Sequence, residues 1–191
     1  MQPAKTDRDQ HACTASIRNM FEKHGGSMYG GEAVTQQEHA LQAAWLAEQQ
    51  HSSDALVTAA LLHDVGHLLH DLPDDAPDRG IDDQHEDLAA EWLQRHFPPE
   101  VVEPVRLHVE SKRYLCATEP GYWEALSEPS RQSLELQGGA MNETECEQFR
   151  QGEHFEAALQ LRRWDDEAKV AGLKTPAVAH FLEFVDRVVC R

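Results

Sequence analysis

Apolar residues recur every three or four positions along most of the chain, which is the spacing of a helix with one buried face. This spacing predicts helices over residues 11–23, 35–50, 53–70 and 153–171, with shorter ones around 119–126 and 128–137. No stretch alternates polar and apolar residues for long enough to form a strand, and no repeat or linker divides the chain. We therefore predict a single all-α helical bundle over residues 1–191, with residues 1–10 frayed.

Local start signals support these helices. Polar capping residues or prolines mark the predicted starts: Thr35 with Glu38, Ser53 or Asp54, Asp82 or Asp83, Pro98 with Pro99, Asn142 with Glu145, and Thr175 with Pro176. Residues 25–32 form a glycine-rich segment, and we expect residues 24–34 to be a mobile lid loop. It lacks the Gly-Lys-Ser/Thr ending of a phosphate-binding loop.

Composition narrows the possible partners and the compartment. The net charge is −17, from 34 acidic and 17 basic residues, so the backbone of a nucleic acid is not an expected partner. An anionic ligand would need local cations or metal ions to overcome this charge. The four cysteines form no C-x-x-C pair, which favours reduced thiols and a cytoplasmic protein. We expect neither a signal peptide nor a membrane span.

A His-Asp pair lies inside the most apolar segment, residues 59–70. If this segment is one continuous helix, His63 and His67 share a face, and Asp64 points about 100° away from His63. Burying an imidazole and a carboxylate among leucines is costly unless they are paired or bind a metal. A purely structural alternative is that Asp64 orients one histidine in a satisfied core network. The clustering of these groups favours a metal site.

Further metal-ligand residue types fall on the apolar faces of other predicted helices. Together they comprise four imidazoles and two carboxylates: His39, His63, Asp64, His85, His108, and either Asp165 or Asp166. Nitrogen and oxygen ligands without thiolate are typical of Fe, Mn, Zn or Ni sites. Six ligands exceed the need of one ion, so we predict two metal ions bridged by Asp64.

The order of these residues resembles the HD-domain superfamily, an all-α fold named after its His-Asp pair. The closest resemblance is to its mixed-valent di-iron oxygenases of the PhnZ/TmpB type, which cleave carbon–phosphorus bonds, and it extends from about residue 25 onward. The segments that carry it are Tyr29–Glu32, Glu38–His39, Leu61–His67, Asp83–Glu86, His108–Cys116, Ser130–Gly139 and Leu161–Lys169.

The resemblance implies a ligand set for two irons. One iron would be held by His39, His63, Asp64 and Asp165, and the other by Asp64, His85 and His108. Asp165 is chosen over Asp166 because the family's ligand lies four residues before the lysine that matches Lys169. Tyr29 would coordinate the first iron in the resting enzyme.

The resemblance also implies roles around the substrate. It gives Tyr29, Glu32 and His67 catalytic roles, with Tyr29 leaving the iron when substrate arrives. Glu32 would face the cationic nitrogen of the substrate. Lys112 and Ser130 would hold the phosphonate, with His67 beside them.

The implied reaction uses O2 as co-substrate and a small zwitterionic phosphonate. A 1-hydroxy-2-aminoethylphosphonate or its trimethylammonio analogue would give phosphate together with glycine or glycine betaine. An alternative is an HD-domain metal-dependent phosphohydrolase acting on a nucleotide or a phosphate ester, which needs only His39, His63, Asp64 and Asp165. A non-catalytic regulatory module is a third possibility, although such modules are expected to lose ligands. The residues leave the amino or trimethylammonio choice and the oligomeric state open.

Overall fold

The computed structural model describes residues 7–69 and 84–190, with side chains described from residue 11 onward. Within these residues the regular structure is helical, and the only β pairing is an isolated bridge between Met28 and Thr35. The helices are α1 Asp7–His24, α2 Gln36–Gln49, α3 Asp54–Leu62, α4 His85–Leu93, α5 Pro99–Arg106, α6 His108–Thr118, α7 Tyr122–Ala125, α8 Glu128–Leu136, α9 Glu143–Arg150, α10 Phe155–Glu167 and α11 Val178–Val188. The predicted all-α fold is confirmed.

Helix α3 lies at the centre of the bundle. It packs against α2, α5, α10 and α11, and all its residues from Val57 to Leu62 are buried. Its start follows the prediction, because the Ser53 side chain accepts a hydrogen bond from the Leu56 backbone N–H. A second, smaller apolar cluster involves α6, α7, α8 and α9. The His-Asp pair therefore follows the most enclosed helix of the fold.

The predicted helix over residues 53–70 is wrong beyond Leu62. Helix α3 ends there, His63 and Asp64 follow, and Val65–Leu68 form one turn of 3-10 helix. A Cβ atom on Gly66 would lie 2.0 Å from the carbonyl oxygen of His85, so the chain packs backbone against backbone at this point. This close approach brings Asp64 beside His85. His63 and His67 consequently do not share the face of one helix.

Two predicted helices end differently in the structure. The segment from Pro99 divides at Leu107 into α5 and α6, so His108 is the first residue of a new helix. Helix α10 ends at Glu167 rather than near residue 171, because both backbone groups of Val170 bond the Gln42 side chain at 3.0 Å. This pairing draws the chain away from the helix axis and places the Ala168 carbonyl beside His39.

The remaining boundary predictions have mixed outcomes. The capping boxes at Thr35 and Asn142 are both formed. The last helix is preceded by Ala177, without a side-chain cap, rather than capped by Thr175 and Pro176. Residues 7–10, expected to be frayed, have helical backbone in α1. The expected helix end at residue 70, the cap at Asp82 or Asp83, and residues 1–6 lie outside the described residues.

Candidate metal centre

The predicted metal ligands converge at one buried point between the helices. Each is at most 7% exposed, and together they come from five helices or their ends: His39 of α2, His63 and Asp64 after α3, His85 of α4, His108 of α6, and Asp165 of α10. Ligand atoms of His39, His63 and Asp165 lie within 4.8 Å of one another, as do those of Asp64, His67 and His85.

The histidines form two pairs whose ring nitrogens face each other. Nε2 of His39 lies 3.0 Å from Nε2 of His63, and Nε2 of His85 lies 3.2 Å from Nε2 of His108. In the first pair each Nδ1 contacts a backbone carbonyl, of Ala168 or Ala60. A carbonyl only accepts hydrogen bonds, so each Nδ1 carries a proton, and each Nε2 presents a lone pair when its ring is neutral. Two lone pairs at this distance repel unless a cation lies between them.

Asp64 lies between the two histidine pairs. Its Oδ2 is 3.4 Å from Nε2 of His39 and 3.3 Å from Nε2 of His63. Its Oδ1 is 3.5 Å from Nε2 of both His85 and His108. Both oxygens are buried without a well-formed hydrogen bond from the described residues, which is costly for a carboxylate. The arrangement fits one carboxylate shared by two metal ions.

The electrostatics of the pocket also favour bound cations. Burial disfavours a charge on His39, yet its contacts with Asp165 and Asp64 outweigh burial and raise its pKa to about 9. Burial lowers the pKa of His108 to about 3, so this ring stays neutral and able to bind a metal. The pKa of Asp64 is well below its usual value despite burial, since His63 and His39 face it. The carboxylates are thus ionised and attract positive charge.

Asp165 has its two oxygens in different environments. Oδ1 faces Nε2 of His39 at 3.4 Å and is buried without a hydrogen-bond partner among the described residues. Oδ2 accepts from Nη1 of Arg162 at 2.7 Å. The neighbouring Asp166 also pairs with Arg162, and its other oxygen accepts from the Tyr122 hydroxyl. Asp165, and not Asp166, therefore faces the histidines.

Tyr29 and His67 cover the histidine cluster. The Tyr29 ring stacks on His39, with 3.8 Å between ring centres and planes 13° apart. The His67 ring stacks on His85 at 4.1 Å and meets Tyr29 edge-on at 6.3 Å. Burial and the charges of Asp165 and Asp64 raise the pKa of Tyr29 well above its usual value. Without a bound cation this side chain is therefore a neutral phenol.

Lysine and serine side chains beside the cluster form a site that we call the anion cradle: Lys112, Ser130, Ser133 and Lys169. Nζ of Lys112 donates to Oγ of Ser133 at 2.8 Å, and Nζ of Lys169 donates to Oγ of Ser130 at 2.9 Å. Nζ of Lys169 also lies 5.8 Å from the centre of the Tyr29 ring. The cradle combines two ammonium groups and two hydroxyls, which are suitable donors for an anion.

Glu32 contacts protein groups rather than pointing into open space. Its Oε1 accepts from the Ser127 hydroxyl and lies 3.5 Å from Nζ of Lys169. The backbone N–H of Glu32 donates to the Tyr29 carbonyl at 2.7 Å, which closes a turn between the two residues. Gly30 and Gly31 in this turn both have positive φ, of 43° and 82°, which favours glycine.

Comparison with known proteins identifies the family. Residues 37–146 match the HD domain family. The chain belongs to the HD-domain family. It is also 46% identical over 167 residues to hydroxymethylphosphonate dioxygenase of Gimesia maris, covering 87% of this chain and 83% of that protein. It is 40% identical over 173 residues to the glycine-betaine-forming [1-hydroxy-2-(trimethylamino)ethyl]phosphonate dioxygenase of Leisingera caerulea, covering 91% and 88% of the two chains. The resemblance to HD-domain phosphonate oxygenases is confirmed.

Sequence reasoning missed two charged residues of this HD domain, Arg162 and Lys169. Arg162 precedes Asp165 and Asp166 by three and four residues, a helical spacing that permits ion pairs with both. That spacing could have indicated its role. Lys169 was used only to choose Asp165 over Asp166 as a ligand. Nothing in the sequence around it indicates that it reaches Ser130 and Glu32. Among the described residues, no helix has the length and apolarity to cross a bilayer.

Proposed function

We propose that this HD-domain protein is an O2-dependent dioxygenase that cleaves the C–P bond of a 1-hydroxyalkylphosphonate. The position of Asp64 carries the proposal, because each of its oxygens faces a different histidine pair. A shared carboxylate between two nitrogen-rich sites suits a pair of metal ions. The named activities of the two relatives, both phosphonate dioxygenases, support the same chemistry.

The ligand residues divide into two sets around Asp64. His39, His63 and Asp165 would hold one iron, and His85 and His108 would hold the other. An Fe(II)/Fe(III) pair bound here would supply the redox and Lewis-acid chemistry that O2 activation requires. Tyr29 would coordinate the first iron while the enzyme rests, and its stacking on His39 supports this role.

The other side chains would bind and orient the substrate. Lys112 and Ser130 would hold the phosphonate oxygens, with Lys169 beside them in the anion cradle. In a protein of net charge −17, these ammonium groups are needed to offset the long-range repulsion of a phosphonate. His67 lies against both Tyr29 and His85, which supports a role at the reacting end of the substrate.

The reaction balances with one O2 for each C–P bond. For the simplest hydroxyphosphonate, HO–CH2–PO3²⁻ and O2 give formate, hydrogen phosphate and one proton. The C–P bond and one C–H bond are broken, and O2 takes up the four electrons that the carbon loses. A 2-amino or 2-trimethylammonio substituent on the carbon chain gives glycine or glycine betaine in place of formate.

The test is to measure O2 uptake and phosphate release together on three substrates. These are hydroxymethylphosphonate, 1-hydroxy-2-aminoethylphosphonate and its trimethylammonio analogue, with iron-reconstituted protein. We expect equal amounts of O2 consumed and phosphate formed, and ¹⁸O from labelled O2 in the products. Phosphate release from nucleotides or phosphate esters without O2, and no O2 uptake on any hydroxyphosphonate, would instead establish a phosphohydrolase.

A further inference from the structure

The carboxylate of Glu32 lies against groups that would also bind a substrate anion. It accepts from the Ser127 hydroxyl, and its Oε1 is 3.5 Å from the Lys169 ammonium. The same ammonium donates to Oγ of Ser130 at 2.9 Å. Oγ of Ser127 is in turn 3.0 Å from Oγ of Ser130. Glu32 therefore shares its donors with the anion cradle.

These contacts are protected from solvent. The side chains of Glu32 and Lys169 are only 13% and 11% exposed, and Ser130 is 8% exposed. A carboxylate in such surroundings interacts with a neighbouring ammonium more strongly than one at an open surface. An arriving phosphonate must consequently compete with Glu32 for Lys169, or share it with a second negative charge.

We propose that Glu32 is a tethered competitor for the anion cradle and thereby selects substrates by the charge at their far end. A phosphonate that enters the cradle displaces the Glu32 carboxylate from Lys169. A cationic substituent on the substrate then gives that carboxylate a new partner. A phosphonate without a cation leaves Glu32 with no replacement for the contact that it lost.

This inference rests on the proposed function for the identity of the anion. It predicts that removing a charged group strengthens the binding of one class of ligand. Removing the charge of Glu32 should tighten the binding of a plain phosphonate, because the competitor is gone. The same substitution should change the binding of a phosphonate with a cationic tail little, because in wild type the carboxylate exchanges one ammonium partner for another. If Glu32 acted only as a ligand for the cation, plain phosphonates would bind equally with or without its charge.

The test uses two probes that differ by one amino group, ethylphosphonate and 2-aminoethylphosphonate. Neither carries the 1-hydroxyl group, so the proposed reaction does not occur and binding is measured alone. Isothermal titration calorimetry is done without O2 on the metal-loaded full chain. The proteins are wild type, Glu32→Gln and Glu32→Asp, in which the shorter side chain keeps its charge but withdraws from Lys169. The matched control is Glu128→Gln, which removes an exposed carboxylate from the first turn of α8.

We expect Glu32→Gln to bind ethylphosphonate roughly tenfold more tightly, the effect of one charge-assisted contact, and 2-aminoethylphosphonate about as tightly as wild type. Glu32→Asp should also bind ethylphosphonate more tightly, and Glu128→Gln should resemble wild type. Unchanged or weaker binding of ethylphosphonate to Glu32→Gln overturns the inference. So does an equal gain in Glu128→Gln, which would show a general effect of charge. These outcomes do not depend on turnover, so the proposed dioxygenase activity stands or falls separately.

Discussion

Arg162 holds one oxygen of Asp165 while the other oxygen faces the histidines. Nη1 of Arg162 is 2.7 Å from Oδ2 of Asp165, whereas Oδ1 lies 3.4 Å from Nε2 of His39. Nε of Arg162 also donates to the Tyr122 hydroxyl at 3.1 Å. The carboxylate therefore offers a single oxygen to a metal ion, and its orientation is fixed by a guanidinium that is itself held on two sides.

Arg162→Gln should therefore destabilise the protein strongly. The substitution leaves the buried carboxylate of Asp165 and the partly exposed carboxylate of Asp166 without their shared cation. We expect a loss of about 3–5 kcal/mol in the free energy of unfolding, measured by urea denaturation. Arg162→Lys should recover part of it, because one ammonium keeps the charge but cannot reproduce the fork of hydrogen bonds.

The neighbouring Arg163 provides the control for this measurement. It pairs with Glu119 at 2.7 Å, and both side chains are more than 40% exposed, at 42% and 43%. Arg163→Gln should cost less than about 1 kcal/mol. Equal losses for the two arginines would contradict the role given to Arg162.

Asp64→Ala should abolish binding of both metal ions. His85 and His108 are left with no carboxylate, and His39 and His63 keep only Asp165, so each site loses the oxygen ligand that both ions share. His108→Ala should mainly remove the second ion, because the His39 and His63 pair keeps Asp64 and Asp165. Metal content per chain, measured by mass spectrometry after anaerobic reconstitution, checks both variants. Wild-type protein that holds only one ion would contradict the two-metal proposal.

Tyr29→Phe should remove a visible absorption band from the iron-loaded protein. Burial and the charges of Asp165 and Asp64 keep the pKa of Tyr29 high, so its phenolate forms only when a cation binds it. A phenolate on Fe(III) absorbs visible light, and we expect the band to bleach when substrate arrives. Tyr114→Phe is the control, because that hydroxyl accepts from Arg150, outside the metal cluster. Identical spectra for wild type and Tyr29→Phe would exclude coordination by Tyr29.

Anion binding should weaken as the pH rises, because Lys112 loses its charge. Burial, with the nearby charge of Arg162, lowers the pKa of Lys112 to about 7. The ammonium is charged below this value, and a bound anion shifts its pKa upward. We expect the affinity for ethylphosphonate to fall between about pH 7 and pH 9, by up to about tenfold per unit. Lys112→Arg stays charged over this range, so its affinity should fall less. Calorimetry at several pH values tests this prediction. An equal pH dependence of the affinity in wild type and Lys112→Arg would show that Lys112 is not the responsible group.

The parts of the fold set by local interactions could be predicted from the sequence. The capping boxes at Thr35 and Asn142 involve residues only three positions apart, and both formed. The end of α3 at Leu62 could not be foreseen, because it depends on the contact of Gly66 with the backbone of His85. That contact joins segments nearly twenty residues apart in the chain.

The candidate site shows the same division. Ligand-type residues such as His39 and Asp64 were recognised from their place on apolar helices and from the resemblance. Only the structure shows that each oxygen of Asp64 faces a different histidine pair. The contacts of Glu32 could not be predicted from the sequence either, since Ser127 and Lys169 lie far away along the chain. Sequence therefore indicated which residues to expect at the site and left open what each one contacts.

The short turn from Tyr29 to Glu32 has a kinetic consequence. One backbone hydrogen bond of 2.7 Å joins these residues, so a movement of this turn would displace both the side chain above the histidines and the side chain at the anion cradle. Displacement of Glu32 by a phosphonate would pull Tyr29 from its place on His39. The two substrates would then combine in a compulsory order, with the phosphonate first and O2 second. Such an order would spare the protein from oxidising itself during the time when no phosphonate is present.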